Sequence, residues 1–201
     1  MIQYFKNFGY IEEVIPHSLL QSLQIESQEA PFINNTVVSG LTGNGVPIHF
    51  NLTDNRDKVE QYVLSLLPEY ENEFYYINSV TNIMYKPALP LVLGAAWFNF
   101  QKKYEFVPVH IHHGIYSFVI WLDIPYEIEE ELSSGKYASC FQFLYTSIIG
   151  KPVDMVLPVS KEWVGKILLF PSSLQHIVYP FFTSSGTRIS LSGNIIYNNA
   201  F

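Results

Sequence analysis

The chain has 201 residues, a length typical of a single domain, and its 48% hydrophobic and 14% charged residues are those of a globular protein. Its formal net charge is −7 and its lysines and arginines form no cluster, which argues against nucleic acid as a partner. The single cysteine, Cys140, cannot form an intramolecular disulfide. Because there is also no signal-peptide pattern and no apolar run of about 20 residues, we expect a cytoplasmic protein without a membrane segment.

The first 50 residues are predicted to contain two strand regions and a helix. A short strand is expected over residues 10–15, followed by a helix from His17 to about Glu26, which begins after Pro16. Residues 36–50 have the pattern of a β-hairpin, with Asn44-Gly45 as its strongest turn signal.

A second helix is predicted over residues 55–67. Asp54 is a suitable N-cap for it, and Pro68 is expected to end it. The helix has an apolar stripe formed by Val59, Tyr62, Val63, Leu66 and Leu67. We expect this stripe to pack against the outside of a sheet.

From about residue 79 the pattern is almost entirely that of strands, in keeping with an aromatic content of 16%. Strands are predicted over residues 79–86, 94–101, 107–112, 116–124, 139–146, 166–170, 174–179 and 187–197. Between them, the acidic residues 127–131 are predicted to form a solvated loop or short helix. Eight short strands after a helical third favour a mainly β fold, a double-stranded β-helix (jelly roll) with buttressing helices. We expect one domain, in which residues 1–78 pack on a core formed by 79–201.

Two histidines on the predicted strand 107–112 are candidate metal ligands. Because side chains alternate along a strand, His110 and His112 lie on one face about 7 Å apart, while Ile111 lies on the other. They can converge on one metal ion or stand exposed on an edge strand, and the pair alone does not decide. His113 would face away from His112, and we expect it in a loop or at an edge.

The last predicted strand presents four polar side chains on one face: Arg188, Ser190, Ser192 and Asn194. This face can meet water, as in any half-buried strand, or it can line a cavity. In a cavity, the planar guanidinium of Arg188 would suit a carboxylate, and Ser190 would add a hydroxyl donor.

Taken together with a third histidine, His176, these motifs resemble the double-stranded β-helix oxygenases that use Fe(II) and 2-oxoglutarate. The nearest likeness is to a bacterial and phage branch of that superfamily, and it covers roughly residues 94–197. The matching elements are Trp97-x-Asn99, His110-x-His112, Ser117-Phe118-Val119, Phe170-Pro171 with His176-Ile177-Val178, and Arg188-x-Ser190 with Asn194.

The resemblance implies a role for each matching residue. His110 and His176 would be iron ligands, and Arg188 with Ser190 would bind the distal carboxylate of 2-oxoglutarate. His112 departs from the pattern, since it stands where the family usually has Asp or Glu. A neutral imidazole there leaves the iron site one unit more positive, and His112 is either a third ligand or a neighbour of the ligands.

The remaining polar and aromatic residues of interest have less specific expected roles. Asn99 and Tyr116 are candidates to line the co-substrate pocket. The remaining histidines, His17 and His49, are expected to be structural. The three tryptophans are expected in the core: Trp97, Trp121 and Trp163.

The resemblance implies an oxygenase that requires Fe(II) and 2-oxoglutarate and hydroxylates a small molecule or a protein side chain. One alternative is a cupin-like three-histidine metalloenzyme without 2-oxoglutarate, although such cupins have Glu where this chain has Tyr116. Another is a non-catalytic jelly-roll binding module. The substrate remains open, as does the oligomeric state, for which a homo-oligomer is one option.

Overall fold

The computed structural model describes residues 8–32, 46–77 and 90–198. These residues form three α-helices, α1 (His17–Glu29), α2 (Arg56–Phe74) and α3 (Ile128–Ser134). The strands are β1 (Ile11–Val14), β2 (Ile48–Asn51), β3 (Leu91–Gln101), β4 (Val107–His110), β5 (Tyr116–Asp123), β6 (Phe141–Thr146), β7 (Pro152–Leu157), β8 (Lys166–Pro171), β9 (Gln175–Val178) and β10 (Arg188–Tyr197). The first arm of the predicted hairpin, its Asn44-Gly45 turn and the predicted strand 79–86 lie outside the described residues.

The strands form two antiparallel sheets, and the predicted jelly-roll fold is confirmed. The larger sheet has the order β1-β8-β5-β10-β3-β2, and the smaller one has the order β4-β9-β6-β7. Apolar side chains from both sheets meet in one core cluster that includes Val119, Trp121, Phe141, Phe143 and Phe170. No helix within the described ranges is long and apolar enough to cross a membrane.

The outer face of the six-stranded sheet is covered by α1 and α2. Leu23 of α1 and Val59 and Val63 of α2 are fully buried in a cluster with Phe118 and Ile120 of β5. The apolar stripe of α2 therefore packs on a sheet as predicted. Since the other face of β5 meets the smaller sheet, this strand is buried on both sides, which explains its continuous apolar sequence.

The start of α2 differs from the prediction that Asp54 caps it. The residue before the helix is Asn55, and no side chain caps the helix through a hydrogen bond. The buried Glu26 carboxylate accepts hydrogen bonds from the backbone N–H groups of Thr53, Asp54 and Asn55 at 2.6, 2.9 and 3.0 Å. A carboxylate from a neighbouring helix thus holds the segment that leads into α2, which no local pattern reveals.

The prediction that Pro68 ends α2 is wrong, because the helix continues to Phe74 with Pro68 inside it. Pro68 is exposed, whereas the turn beyond it buries Tyr70 among the aromatic residues beneath the sheet. Burial of the tyrosine helps to offset the cost of a proline inside the helix.

Two further elements were not fully anticipated. The acidic stretch forms α3, and Glu131 is fully buried rather than solvated. Its carboxylate accepts hydrogen bonds from the backbone N–H groups of Phe182 and Thr183, each at 2.7 Å. Strand β7 was missed because it is an edge strand whose residues are mostly exposed, so its sequence carries little apolar alternation.

Candidate metal centre and active site

Three histidines converge where β4 and β9 meet. His110, the last residue of β4, is paired directly with His176 of β9, and His112 follows two residues beyond the end of β4. Their possible ligand atoms all lie within 4.8 Å of one another. His110 and His112 therefore do not share one regular strand as predicted. The backbone N–H of His112 instead donates to the carbonyl of Ser172 at 2.9 Å, which holds the loop against the neighbouring chain segment.

Hydrogen bonds to backbone carbonyls define the tautomers of two of these rings. Nδ1 of His110 lies 2.7 Å from the carbonyl oxygen of Pro108, and Nδ1 of His176 lies 2.9 Å from that of Leu174. A carbonyl oxygen can only accept, so both Nδ1 atoms carry the hydrogen. Nε2 of His110 and of His176 therefore carries the lone pair that can bind a metal ion, an arrangement common among metal-ligating histidines.

The geometry and protonation of the cluster fit a divalent metal ion. Nε2 of His176 lies 3.2 Å from Nε2 of His112. Two nitrogens bound to one ion at about 2.1 Å and at right angles lie roughly 3 Å apart. Burial lowers the pKa of His176 to about 3 and that of His112 to about 4, and it also lowers the pKa of His110. All three rings are thus neutral near pH 7, as metal ligands must be, and imidazole is a ligand that suits iron.

The cluster opens into a cavity of about 490 Å³ between the two sheets. Four aromatic side chains contribute to its wall: Trp97, Trp121, Phe141 and Phe170. Its polar lining, beside the three clustered histidines and the exposed His113, comprises His49, Asn99, Gln101, Arg188, Ser190 and Ser192. The polar face of β10 therefore lines a cavity, and no carboxylate is found among the described lining residues.

Arg188 is a buried cation on this wall, with 3% of its surface exposed. Its Nε donates to Oε1 of Gln101 at 3.0 Å, and Nη2 donates to the same oxygen and to the carbonyl of Tyr179. Nη1 donates to the hydroxyl of Tyr126 and the carbonyl of Ser139, both at 2.8 Å. Every acceptor is neutral, and no carboxylate pairs with Arg188 within the described residues. A buried, uncompensated positive charge is costly, and an anion in the cavity would relieve that cost.

Asn99 and Ser190, both predicted at the co-substrate pocket, lie side by side on β3 and β10. Nδ2 of Asn99 donates to the hydroxyls of Ser190 at 3.2 Å and Ser192 at 3.0 Å, and its Oδ1 accepts from Nε1 of Trp97 at 3.0 Å. The ring of Trp97 lies 5.7 Å from that of His112, between centroids. Trp97, expected in the core, thus forms part of the cavity wall beside the metal cluster.

Tyr116, the other residue predicted at the co-substrate pocket, is not part of the cavity. It lies on the helix-facing side of β5, where its hydroxyl donates to the carboxylate of Glu71 of α2. The rings of Tyr70 and Tyr76 lie 5.3 and 5.4 Å from it. Alternation along β5 sends Val119 and Trp121 toward the cavity and Tyr116 away from it.

A buried polar network supports the loop that carries His112. The hydroxyl of Ser117 donates to Oδ1 of Asn194 at 2.8 Å and lies 2.8 Å from the hydroxyl of Ser172. Ser172 in turn accepts the backbone N–H of His112. Ser117 and Asn194 belonged to the matching motifs without an assigned role. No sequence motif points to Ser172, because its contact with His112 depends on the pairing of distant segments.

His49 was expected to be structural, yet it lines the cavity from β2. Its ring lies 6.2 Å from that of Trp97, and its Nε2 is buried without a hydrogen-bond partner among the described residues. His17, in contrast, is exposed at the start of α1.

The fold and this cluster define a metal-dependent enzyme of the double-stranded β-helix class. The family model described as "Putative 2OG-Fe(II) oxygenase" matches residues 95–194, which contain all three clustered histidines and Arg188. The chain belongs to the 2OG-Fe(II) oxygenase superfamily, whose enzymes use Fe(II) and 2-oxoglutarate. Comparison with curated protein sequences gives no match.

Several solved structures share the fold at low sequence identity. A prolyl-4-hydroxylase from Pseudomonas putida is 13% identical, with a TM-score of 0.59 over 96% of this chain and 94% of its own. A prolyl hydroxylase from Trichoplax adhaerens, in complex with a peptide fragment of the hypoxia-inducible factor oxygen degradation domain, is 13% identical, with a TM-score of 0.55 over 94% and 84%. HygX from Streptomyces hygroscopicus, with iron bound, is 13% identical, with a TM-score of 0.51 over 96% and 84%.

Proposed function

We propose that the chain is a dioxygenase that couples the oxidative decarboxylation of 2-oxoglutarate to hydroxylation of an unidentified small molecule or protein side chain. The observation that carries this proposal is the presence of two complementary features in one cavity. These are three converging neutral imidazoles and the buried, uncompensated guanidinium of Arg188. The first suits Fe(II), and the second suits a dicarboxylate co-substrate.

In this proposal Fe(II) is held by Nε2 of His110, His112 and His176. When bound, the iron supplies the redox chemistry by which O₂ oxidises 2-oxoglutarate to succinate and CO₂. The residues themselves contribute orientation. The carbonyls of Pro108 and Leu174 fix two of the rings, so the ligand atoms are arranged before the metal arrives.

His112 is proposed as the third ligand in place of a carboxylate. The 3.2 Å separation between its Nε2 and that of His176 supports this role. In the metal-free chain a hydrogen on Nε2 of His112 can be donated to Nε2 of His176 across this gap, and a metal ion would take the place of that hydrogen. Three neutral ligands also leave the full charge of the ion available to attract the anionic co-substrate.

Arg188 is proposed to anchor the distal carboxylate of 2-oxoglutarate, with Ser190 beside it. Oε1 of Gln101 accepts hydrogen bonds from both Nε and Nη2 of Arg188. The same two donors bind the carboxylate in a bidentate Arg–carboxylate pair. We therefore propose that Gln101 fills this place in the absence of co-substrate and yields it when 2-oxoglutarate binds. Asn99 orients Ser190 through the hydrogen bond between them.

The alternatives receive less support from the described residues. Tyr116 occupies the position of the glutamate in cupin-like enzymes, and it faces α2 rather than the cavity.

The N-terminal part is proposed to belong to the same domain as the core, because β1 and β2 complete the six-stranded sheet by pairing with β8 and β3.

The experiment that tests this function is anaerobic addition of Fe(II) and 2-oxoglutarate, followed by exposure to air. We expect a weak visible charge-transfer band before exposure and succinate afterwards. Arg188→Ala is expected to lose both signals at moderate co-substrate concentration, whereas the surface variant His17→Ala is expected to retain them. Absence of the band, together with succinate no higher than in Arg188→Ala, would contradict the proposal.

A further inference from the structure

We propose that Ser192 is a further ligand of 2-oxoglutarate, and that its hydroxyl donates a hydrogen bond to the carboxylate next to the keto group. Trp97 and Asn99 set the direction in which this hydroxyl donates. Because the ligand is the co-substrate of the proposed function, the assignment rests on that function. It adds to the site a residue that the sequence motifs leave without a role.

The orientation of the Asn99 amide follows from its contact with Trp97. Nε1 of Trp97 lies 3.0 Å from Oδ1 of Asn99, and an indole nitrogen can only donate, so the amide oxygen must face it. The amide nitrogen is thereby turned toward β10. There it donates one hydrogen to the hydroxyl of Ser192 at 3.0 Å. Its other hydrogen lies between the hydroxyl of Ser190 at 3.2 Å and the carbonyl of Ser190 at 3.4 Å.

The hydroxyl of Ser192 is therefore an acceptor toward Asn99 and remains able to donate elsewhere. A serine hydroxyl has one hydrogen and two lone pairs, and the amide of Asn99 uses a lone pair. The hydroxyl of Ser192 has no other hydrogen-bond partner among the described residues, and the same holds for Ser190. Both hydrogens are thus available to an acceptor in the cavity.

The side chains of Ser190 and Ser192 can be reached from the cavity. Both residues line it and are partly exposed. Because β10 lies between β5 and β3 in the six-stranded sheet, its neighbours cover its backbone, and the exposed surface belongs to the side chains. A serine side chain consists only of a methylene and the hydroxyl. A ligand in the cavity therefore meets short side chains whose polar atom is a donor.

Ser192 lies toward the metal cluster, and Arg188 lies toward the other end of the same strand. Ser192 is paired with Trp97 of β3, whose ring lies 5.7 Å from that of His112, between centroids. Arg188 lies four residues before Ser192, and Ser190 lies between them on the same face of β10. The three side chains form a row of donors that leads from the proposed anchor of the distal carboxylate toward the metal ligands.

A carboxylate is the acceptor that this row of donors suits best. A hydrogen bond to a charged acceptor contributes more than one to a neutral acceptor. No carboxylate side chain is found among the described lining residues, so none competes for these donors. 2-Oxoglutarate has a carboxylate at each end. With Arg188 and Ser190 at the distal carboxylate, Ser192 is left for the carboxylate next to the keto group.

Two co-substrates that differ at the distal end locate the contact of Ser192 along the ligand. 2-Oxoglutarate and 2-oxovalerate, which has a methyl group in place of the distal carboxylate, are titrated calorimetrically into the Mn(II)-loaded chain. Ser192→Ala removes the hydroxyl, whereas Ser192→Thr keeps it. Ser133→Ala, on the exposed side of α3, is the control for a serine outside the cavity, and Arg188→Ala reports on the distal end.

In Ser192→Ala the Kd is expected to rise at least about fivefold for both co-substrates, the value of one hydrogen bond. The affinity for Mn(II) is expected to stay within about threefold. Ser192→Thr and Ser133→Ala are expected to stay within about twofold of the wild type for both co-substrates. Arg188→Ala is expected to weaken the binding of 2-oxoglutarate but not of 2-oxovalerate.

Four results would overturn the proposal. The first is an unchanged Kd for 2-oxoglutarate in Ser192→Ala, and the second is a loss confined to 2-oxoglutarate, which would place Ser192 at the distal carboxylate. The third is an equal loss in Ser192→Thr or a parallel loss of Mn(II) affinity, since either would indicate a structural role. The fourth is a wild type that does not bind 2-oxovalerate, because the metal end would then hold no ligand without the distal carboxylate.

Trp97→Phe tests how the direction of the hydrogen bond is set. Without the indole N–H, the amide of Asn99 can turn and offer its oxygen to the serine hydroxyls, which would then donate to it. We therefore expect Trp97→Phe to weaken 2-oxoglutarate binding less in the Ser192→Ala background than in the wild type. Equal losses in the two backgrounds would overturn this role of Trp97 and Asn99.

The same titrations separate this inference from the proposed function. A wild type that does not bind 2-oxoglutarate, or that binds it as tightly after Arg188→Ala, would contradict the proposed function. A chain that binds 2-oxoglutarate through Arg188 and is insensitive to Ser192→Ala would contradict the role of Ser192 alone.

Discussion

His112 and His176 are 64 residues apart in the chain, yet their Nε2 atoms lie 3.2 Å from each other. The contact exists because β4 and β9 pair at His110 and His176, and because Ser172 holds the loop that carries His112. In the metal-free chain one of these nitrogens can donate a hydrogen bond to the other, and the same separation suits two ligands of one metal ion. Together with His110, whose ligand atom lies within 4.8 Å of theirs, the pair forms a three-histidine metal site.

The role of His112 can be tested by comparing two substitutions. His112→Ala is expected to weaken Fe(II) affinity at least tenfold, because one of three ligands is lost. His112→Asp is expected to retain iron, since a carboxylate is the usual partner of two histidines in such sites. Metal content after gel filtration, with His17→Ala as control, measures both effects. Wild-type affinity in His112→Ala would show that His112 is a neighbour of the metal and not a ligand.

The proposed exchange at Arg188 predicts a specific effect of Gln101→Glu. The new carboxylate would form an ion pair with the Nε and Nη2 atoms that Gln101 now contacts. It would occupy the anion site, so the Kd for 2-oxoglutarate is expected to rise at least tenfold while the affinity for metal stays within about threefold. Calorimetric titration of each ligand measures the two effects. Unchanged 2-oxoglutarate affinity in Gln101→Glu would mean that the co-substrate binds elsewhere.

The position of Tyr116 predicts an effect on stability rather than on the site. Tyr116→Phe removes the hydrogen bond to Glu71, a partly buried carboxylate whose pKa is raised by burial. The free energy of unfolding is expected to fall by about 1–2 kcal/mol. The affinity for 2-oxoglutarate is expected to stay within about twofold. A large loss of this affinity, with unchanged stability, would mean that Tyr116 does contribute to binding 2-oxoglutarate.

The lowered pKa values of the histidines predict how the stability of the metal-free chain depends on pH. His112 and His176 have pKa values of about 4 and about 3 when folded, below the usual value of about 6.5 when unfolded. Between these values the unfolded chain binds more protons than the folded one. The free energy of unfolding is thus greatest above about pH 6.5. At lower pH it falls, by up to about 1.4 kcal/mol per pH unit for each proton that unfolding takes up.

Urea unfolding of the metal-free chain between pH 7 and pH 4.5 measures this dependence. In His176→Leu the free energy of unfolding is expected to change less steeply with pH, because one of the histidines that take up a proton on unfolding is gone. The same stability at pH 7 and at pH 5 would contradict the burial of neutral imidazoles in the cluster.

The sequence was informative where local patterns decide structure. The jelly-roll fold and most strands of the core could be predicted from alternation and turn spacing, whereas the joint role of His110, His112 and His176 was implied by the family resemblance. The prediction failed where a distant residue overrides a local signal. Asp54 does not cap α2, whose preceding segment is bound instead by Glu26 of α1, and the helix continues past Pro68 to the buried Tyr70.

Within the site, the missing information was strand register. His49 and Trp97 look like ordinary strand residues until β2 and β3 are paired and both side chains face the cavity. Gln101 carries no motif, and its contact with Arg188 follows only from the pairing of β3 with β10. Tyr116 lies close to the histidines in sequence, but it points away from them.

The most direct measurement of the central claim is a crystal structure of the chain soaked with Mn(II) and 2-oxoglutarate under anaerobic conditions. The account predicts Mn(II) bound to Nε2 of His110, His112 and His176, with the distal carboxylate of 2-oxoglutarate against Arg188 in place of the Gln101 amide oxygen. Metal bound away from these three nitrogens, or a co-substrate carboxylate that does not contact Arg188, would contradict it.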